Sequence, residues 1–288
     1  MAERTLGVIG GSGLYELPGL EDVERTRVRT PFGDPSDEIV VGRLAGTRLL
    51  FLPRHGRGHR LLPSELPFRA NVWALKSLGV DCLLAVSAVG SLREEIAPGH
   101  VVVPDQFIDR TRGRQTESTF FGRGVVAHVQ FADPFCRPLS HALVDAARAA
   151  GATVHTGGTY VCMEGPAFST RAESHLYRSW GAHVIGMTNL QEAKLAREAE
   201  LCFATLALAT DYDCWHEGHD DVQIGEVLRV LAANVELARR TVAALAPRLP
   251  APTGCACPRA LEHAIITDRA AIPASVKRDL APIAGRYL

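Results

Sequence analysis

The chain has 288 residues, of which 47% are hydrophobic and 22% charged. That composition excludes a disordered chain and supplies apolar side chains for a sizeable core. The formal charge is -1, so no basic excess points to a DNA or RNA surface, and no run approaches the ~18 apolar residues of a membrane span.

The N-terminus enters a strand-like segment at once, with no apolar leader, so no signal peptide is expected. Leu6–Ile9 reads as a buried strand running into the tight turn Gly10-Gly11-Ser12-Gly13. Ile39–Val41 and Arg48–Leu52 read as strands around a turn at Ala45-Gly46. Pro67–Leu78 has helical spacing, with Phe68, Val72, Leu75 and Leu78 on one side. Cys82–Val86 is a continuous apolar strand followed by Ser87-Ala88-Val89-Gly90-Ser91, and Val101–Val103 is another strand. Leu139–Ala150 is an alanine-rich helix ended by Gly151, and Glu192–Glu200 a charged helix. Cys202–Thr210 is a strand leading directly into Asp211-Tyr212-Asp213, and Ile224–Leu245 has a long helical period. Short buried strands alternating with helices predict an α/β fold around a mixed, largely parallel sheet. The Pro-rich stretch Ala246–Pro258 marks a boundary. Residues 1–250 form the main domain; 251–288 are too few for a separate core and pack on that domain or on a neighbouring subunit.

Five blocks carry chemistry. The glycine turn after the first strand exposes backbone N–H groups suited to an anion, with Ser12 adding a hydroxyl. It is also compatible with a plain turn. A dinucleotide fingerprint fits poorly, because Glu16 occupies the place of its third glycine. Arg54-His55-Gly56-Arg57-Gly58-His59-Arg60 follows a buried strand, where α/β proteins bind ligands, and arginine's planar fork matches two phosphate oxygens. A solvated basic loop is the competing reading; a metal at His55 and His59 lacks companion ligands. Ser87 to Ser91 forms either an anion cradle or a bare turn. In Met163 to Ser174, Phe168 offers a stacking face or a core side chain, and Glu164 and Glu173 are acceptors for sugar hydroxyls or surface charges. Asp211 and Asp213 point the same way if the chain stays extended. They form either an acid pair or an Asx turn.

Two motifs are weaker. Cys255-Ala256-Cys257 has no partner pair at zinc spacing, which disfavours zinc, and His216-Glu217-Gly218-His219 lacks the spacing of a helical metalloprotease motif. Seven cysteines in a long chain suit a reducing cytoplasm better than a disulfide scaffold.

Taken together, the ordered blocks resemble the methylthioadenosine phosphorylases of the trimeric purine nucleoside phosphorylase family. The likeness runs from Gly7 to about Leu245. It includes Thr30-Pro31-Phe32-Gly33-Asp34-Pro35-Ser36-Asp37, Arg54-His55-Gly56-Arg57, Gly90-Ser91-Leu92-Arg93-Glu94-Glu95, Glu164-Gly165-Pro166, Met187-Thr188 and Thr210-Asp211-Tyr212-Asp213-Cys214-Trp215. The resemblance implies a phosphorylase domain over 1–250, a homotrimer with sites at subunit interfaces, and phosphorolysis of 5'-methylthioadenosine. It implies no metal and no organic cofactor, inorganic phosphate being a co-substrate, and neither nucleic-acid nor membrane partners.

By the same resemblance, Ser12, Arg54, His55, Ser87, Ala88 and Thr188 bind phosphate. Phe168, Met187, Asp211 and Asp213 bind the nucleoside, the two aspartates being catalytic. His59 lies near phosphate and ribose, and His128 is lent by a neighbouring subunit. Val222, Ile224, Val227 and Leu228 enclose the methylthio group. The family's 6-oxopurine enzymes carry an amide in place of Asp211, so aspartate points to a 6-aminopurine. A methylthioinosine or 6-oxopurine nucleoside phosphorylase is the near alternative; a nicotinamide-dependent oxidoreductase and a silent nucleoside sensor are more distant ones. Gln191 stands where the family usually has proline. The C-x-C tail is similar to that of thermostable relatives whose cysteines pair, which makes Cys136–Cys202 and Cys255–Cys257 the candidate disulfides.

Overall fold

The computed structural model describes residues 4–11, 14, 16–216, 224–251 and 254–288, and only the backbone of 224–229 and 231. Among the described residues, eleven strands form one mixed sheet. Its first part comprises β1 (Thr5–Gly10), β2 (Glu21–Thr26), β3 (Ile39–Leu44), β4 (Thr47–Pro53) and, after helix α1 (Phe68–Ser77), the long strand β5 (Cys82–Ser91). Then come β6 (Val101–Val103), β7 (Gln106–Arg110), α2 (Arg137–Ala149), β8 (Val154–Thr156), β9 (Thr159–Met163), α3 (Arg171–Ser179), β10 (Val184–Gly186) and α4 (Leu190–Glu198). Strand β11 (Cys202–Asp211) and helix α5 (Ile224–Leu245) complete the main layers, and α6 (Ala274–Asp279) and α7 (Ala281–Ala284) lie in the C-terminal tail.

The central strands are apolar on both sides, as a sheet covered by helices requires. Side chains alternate between the faces. Ile9, Leu50, Leu52 and Leu83 face α1 and α4, packing with Leu75 and Leu195. Val8, Leu49, Phe51 and Leu84 face α2 and α5, packing with Leu139, Leu143 and Val242. The tail joins the first layer: Leu261, Ile272, Val276, Leu280 and Ile283 are buried in the same cluster as Leu75. Trp73 Nε1 donates to the Asp279 carbonyl at 2.9 Å. Among the described residues no helix is long and apolar enough to cross a membrane.

One topological detail positions the site. Strand β1 runs parallel to β5 from Leu6↔Cys82 to Ile9↔Ala85. Strand β10 takes over on β5 only at Ile185↔Gly90 and Val184↔Ser91, and antiparallel. Between these partners, Val86 to Val89 have β11 on one side and no strand on the other. Such a change of neighbour at the carboxyl ends of parallel strands is where open α/β sheets form crevices.

Several elements differ from the sequence expectation. Ser87 to Ser91 continue β5 instead of leaving it as a turn, because β11 pairs with them as far as Asp211↔Gly90. The helix expected over Glu192–Glu200 begins at Leu190 and is not a solvated face: Gln191, Glu192 and Glu198 are buried in it. Strand β2 is a charged, mostly exposed edge, Glu21 to Thr26, without the apolar alternation that reveals a strand.

Glu198 shows what burial of α4 costs. Its carboxylate accepts from Thr119 Oγ1 at 2.7 Å and from the Phe120 N–H at 2.7 Å. Burial nevertheless pushes its pKa up to about 7. The folded chain therefore keeps a proton that the unfolded chain releases, so this group's contribution declines as pH rises from about 4.5 to 7. Glu198→Gln accepts from the Phe120 N–H through Oε1, donates from Nε2 to the Thr119 hydroxyl, and removes the titration. Urea denaturation at pH 5 and pH 8 should show the parent losing up to ~3 kcal/mol more than the variant across that interval.

Candidate active site

The crevice beside Val86–Val89 opens into a cavity of about 390 Å³. Arg54, His55, His59, Ser87, Ala88, Phe168, Met187, Thr188, Asp211 and Asp213 all line it. The structure thus brings ten of the sequence-derived residues to one space. Ser12 and Val222 lie outside the described residues, as do the side chains of Ile224, Val227 and Leu228. His128 is exposed and lies on a segment away from the cavity of its own chain.

Arg54 follows the last residue of β4 and is buried. Its fork is not free for an anion, contrary to the sequence expectation. Nε donates to Glu192 Oε1 at 2.6 Å and Nη2 to Glu192 Oε2 at 3.1 Å. Nη1 donates to the Val86 carbonyl at 2.8 Å and Nη2 to the Ile9 carbonyl at 3.2 Å. Those two carbonyls lie where β1 and β5 part, and the guanidinium takes the place of the missing strand. Of its five N–H protons, four are committed in this way, which leaves one on Nη1 for a ligand.

Hydroxyl groups gather beside it. Ser87 Oγ lies 3.3 Å from Tyr160 Oη and 3.4 Å from Thr188 Oγ1. Tyr160 reaches this point only because residue 186 is glycine: a Cβ there would lie 2.0 Å from the tyrosine oxygen. Thr188 lies just before Asn189, the N-cap of α4, whose first turn includes Gln191. A proline is tolerated in a first helical turn, since its N–H has no intrahelical partner. Gln191 therefore keeps the helix start, and its Nε2 donates to Thr111 Oγ1 at 3.0 Å.

His55 Nδ1 lies 2.8 Å from the Leu61 carbonyl. A carbonyl only accepts, so the proton sits on Nδ1 and Nε2 is left as an acceptor. Burial lowers the His55 pKa to about 4, with the Arg54 charge adding to the effect. His59 stacks on it, ring centroids 4.4 Å apart.

At the far end, β11 carries a register irregularity between Ala209 and Asp211, which redirects the chain as it leaves the sheet. Asp211 Oδ2 accepts from Thr210 Oγ1 at 2.7 Å, and Oδ1 accepts from the Asp213 N–H at 2.8 Å. The Asx-type turn and the acid pair, alternatives in the sequence, are thus one structure. Burial raises the pKa of Asp211. It raises that of Asp213 too, with the charge of Asp211 contributing. Asp213 Oδ2 is buried without a hydrogen-bond partner. Gly90 makes room for the pair: a Cβ there would lie 3.1 Å from Asp211 Oδ1 and 3.3 Å from Asp213 Cβ. Phe168, 62% exposed although aromatic, flanks the opening.

Glu164 and Glu173 do not line the cavity and are engaged by the protein itself. Glu164 accepts from the Arg112 and Gly113 N–H groups and from Arg114 Nε. Glu173 closes a capping box with Thr170 at the start of α3. Sequence reasoning assigned no role to Glu192, Tyr160, Thr210 or Arg114. The last is buried and ties the Glu164 loop to Met187, donating from Nη1 to the Met187 carbonyl at 2.6 Å. No local pattern marks Glu192, which is 138 residues from its partner Arg54.

The family model described as the phosphorylase superfamily matches residues 5–247. The chain belongs to the phosphorylase superfamily. A curated relative from Geobacter sulfurreducens, S-methyl-5'-thioadenosine phosphorylase, is 61% identical over 286 residues, 99% of this chain and 100% of the relative. Among solved structures, a methylthioadenosine phosphorylase from an Antarctic soil metagenomic library superposes with TM-score 0.91 at 46% identity, over 98% of this chain and 99% of that one. A variant of the adenosine/methylthioadenosine phosphorylase of Schistosoma mansoni, in complex with adenine, gives TM-score 0.81 at 38% identity, over 85% of this chain and 91% of that one. The superfamily's single-domain architecture, a mostly parallel mixed sheet flanked by helices, is the one observed here.

Removing one partner of a buried ion pair leaves the other charge desolvated, at a cost of ~3–5 kcal/mol. Glu192→Gln is expected to lower the unfolding free energy by about that amount, read from urea titration in phosphate-free buffer. A loss under ~1 kcal/mol, the range of an exposed pair, would show that Glu192 does not hold Arg54 in place.

Proposed function

We propose that this chain catalyses the reversible phosphorolysis of 5'-methylthioadenosine to adenine and 5-methylthioribose 1-phosphate, a pentosyl transfer in purine and methionine salvage. The carrying observation is that one cavity joins the hydroxyl and guanidinium end at Ser87, Thr188 and Arg54 to the half-buried acid pair Asp211 and Asp213. A nucleoside spanning it has phosphate below the sugar and a carboxyl group beside the base. The names of the relatives point to the same substrate.

The residue chemistry supports each step. Phosphate accepts from Arg54 Nη1, from the Ser87 and Thr188 hydroxyls and from backbone N–H groups at Ala88 and the glycine turn. His55 accepts through Nε2 from a phosphate hydroxyl or a ribose hydroxyl, a role its neutral form requires. A phosphate oxygen bonds to C1' as the bond from C1' to the base nitrogen breaks, and that electron pair leaves with the base. Positive charge building on the sugar is stabilised by the phosphate beneath it. Asp211, favoured in its protonated form by burial, donates that proton to N7, so the base departs neutral. Asp213 accepts from the exocyclic amine. Phe168 stacks on the purine, Met187 packs against the nucleoside, and His59 reaches the ribose. No organic cofactor enters this scheme; phosphate is the co-substrate.

The proposal includes a cytoplasmic homotrimer in which His128 completes a neighbour's site. Support comes from the surface around it: Val126 and Ile266, 52% and 67% exposed, are joined by a backbone hydrogen bond next to His128. Val222, Ile224, Val227 and Leu228 are proposed to enclose the methylthio group, and Ser12 to join the phosphate site.

The deciding experiment is product analysis with methylthioadenosine, methylthioinosine, adenosine and inosine, each with and without phosphate. Adenine and 5-methylthioribose 1-phosphate should form only with phosphate; base release that ignores phosphate would refute phosphorolysis. Asp211→Asn should lower kcat/KM for methylthioadenosine by ~10²–10⁴-fold and shift preference toward methylthioinosine, measured by competition. An unchanged adenine preference would remove Asp211 from the role of acid. Light scattering should give three chains per particle, and His128→Ala should reduce kcat/KM while leaving that mass unchanged.

A further inference from the structure

The four cysteines Cys136, Cys202, Cys255 and Cys257 come from three distant parts of the chain, yet their sulfur atoms all lie within 4.8 Å of one another. All are free thiols, so neither candidate disulfide is formed. Cys136 immediately precedes α2 and is held there by its N–H, which donates to the Phe203 carbonyl at 2.7 Å. Cys202 is the first residue of β11. Cys255 and Cys257 are the C-x-C pair beyond α5, and Cys202 Sγ lies 3.4 Å from Cys255 Sγ. Cys136, Cys202 and Cys257 are buried and Cys255 half-buried.

We propose that these four thiols form a structural zinc site that clips the C-terminal tail to the sheet. The sequence disfavours zinc because a C-x-C pair lacks a second pair at zinc spacing; folding supplies the missing pair from residues 136 and 202. Tetrahedral Zn²⁺ with Zn–S bonds of ~2.3 Å needs sulfurs about 3.8 Å apart, a spacing between the 3.4 Å of the Cys202–Cys255 pair and the 4.8 Å that bounds the cluster, within reach of small side-chain rotations. Thiolate sulfur is the donor that selects a soft or borderline metal over Mg²⁺ or Ca²⁺. Four thiols bind one Zn²⁺ and release four protons, leaving a net charge of -2 on the site.

The surroundings suit that charge and provide an entry path. Cys202 lines a second cavity, about 320 Å³, which also presents Arg4, Lys76 and Arg286 together with the carboxylates Asp81 and Glu200. Arg4 Nη2 donates to Cys82 Sγ at 3.0 Å, and Cys82 is the strand partner of Cys202. Cys202 and Asp211 occupy opposite ends of β11. At ~3.3 Å per residue they are about 30 Å apart, so the site is separate from the catalytic cavity.

The clip also acts on the tail beyond it. The Ile266 N–H donates to the Val126 carbonyl, and the His128 N–H to the Ala264 carbonyl, both at 2.9 Å. A metal at Cys255 and Cys257 therefore anchors the segment that orders residues 126–128.

The test uses the full-length chain purified under reducing conditions, with Zn²⁺ and Co²⁺ as probes. Elemental analysis should find one zinc per chain. Co²⁺ should bind with thiolate-to-metal charge-transfer absorption and the intense visible bands of a tetrahedral sulfur site. Cys255→Ser, at the half-buried position, should weaken Zn²⁺ beyond the ~10–100-fold typical of an outer-shell change while phosphorolysis survives. The cobalt spectrum of the parent needs no variant, so a Cys255→Ser chain that fails to fold leaves the test intact. Three results would overturn the proposal: no metal bound at micromolar concentration, metal retained undiminished in a folded Cys255→Ser chain, or an intact mass showing the four cysteines paired as disulfides in the reduced preparation.

Discussion

The structure depends on a break in its own hydrogen-bond ladder. Strand β1 leaves β5 after Ala85 and β10 arrives at Gly90. Carbonyl groups exposed by such a gap must be satisfied, since each unpaired buried one costs as much as a lost hydrogen bond. Arg54 does this for Ile9 and Val86, and Glu192 neutralises the charge that is buried in the process. The same guanidinium that closes the sheet thus forms the floor of the cavity. A ligand site and a point of sheet integrity coincide, which explains why the pair is buried almost completely, with side-chain exposures of 4% and 1%.

Strand β5 contributes to both ends of the cavity because it runs the full depth of the sheet. Ser87 and Ala88 lie in the gap, while Gly90 backs onto the carboxylates of β11. The distance between the Ser87 hydroxyl end and the acid end is therefore about three residues of extended strand, roughly 10 Å, set by backbone geometry and not by loop conformation. Loops supply the rest: Phe168 comes from the segment before α3, and Met187 from the turn between β10 and α4, held by Arg114. Rigid strands fix the reacting groups, and loops shape the substrate around them.

What was legible in the sequence follows the same division. Continuous apolar runs such as Leu49–Leu52 and Cys82–Val86 announce strands buried on both faces, and the polar residues that follow them announce a site. Asp211 and Asp213 at i and i+2 were readable because both lie within one local turn. Glu192 was not, for its partner is remote and its own helix reads as charged; the burial of α4 is a property of the assembled layers. The surroundings of the C-x-C pair were hidden for the same reason, since the other two sulfurs of its cluster come from positions 136 and 202. Strand β2 was invisible because an exposed edge carries no apolar period. Pattern reveals what a segment does to its neighbours in sequence, and contacts across the sheet lie beyond it.

The charge state of the cavity before substrate arrives gives these details a common meaning. Arg54 is paired, His55 is neutral with its pKa lowered to about 4, and burial favours the uncharged form of Asp211. A site built this way has little net charge of its own, so in the proposed reaction phosphate is the largest charge to enter it. That dianion finds its counter-charge in the cation that forms on the sugar, and the surrounding low-dielectric walls strengthen that attraction relative to water. Stabilisation is then greatest when the bond to the base is breaking, which is the condition for catalysis as opposed to tight binding. A free arginine fork at the same place would hold phosphate more tightly in the ground state and leave less to gain at the transition state.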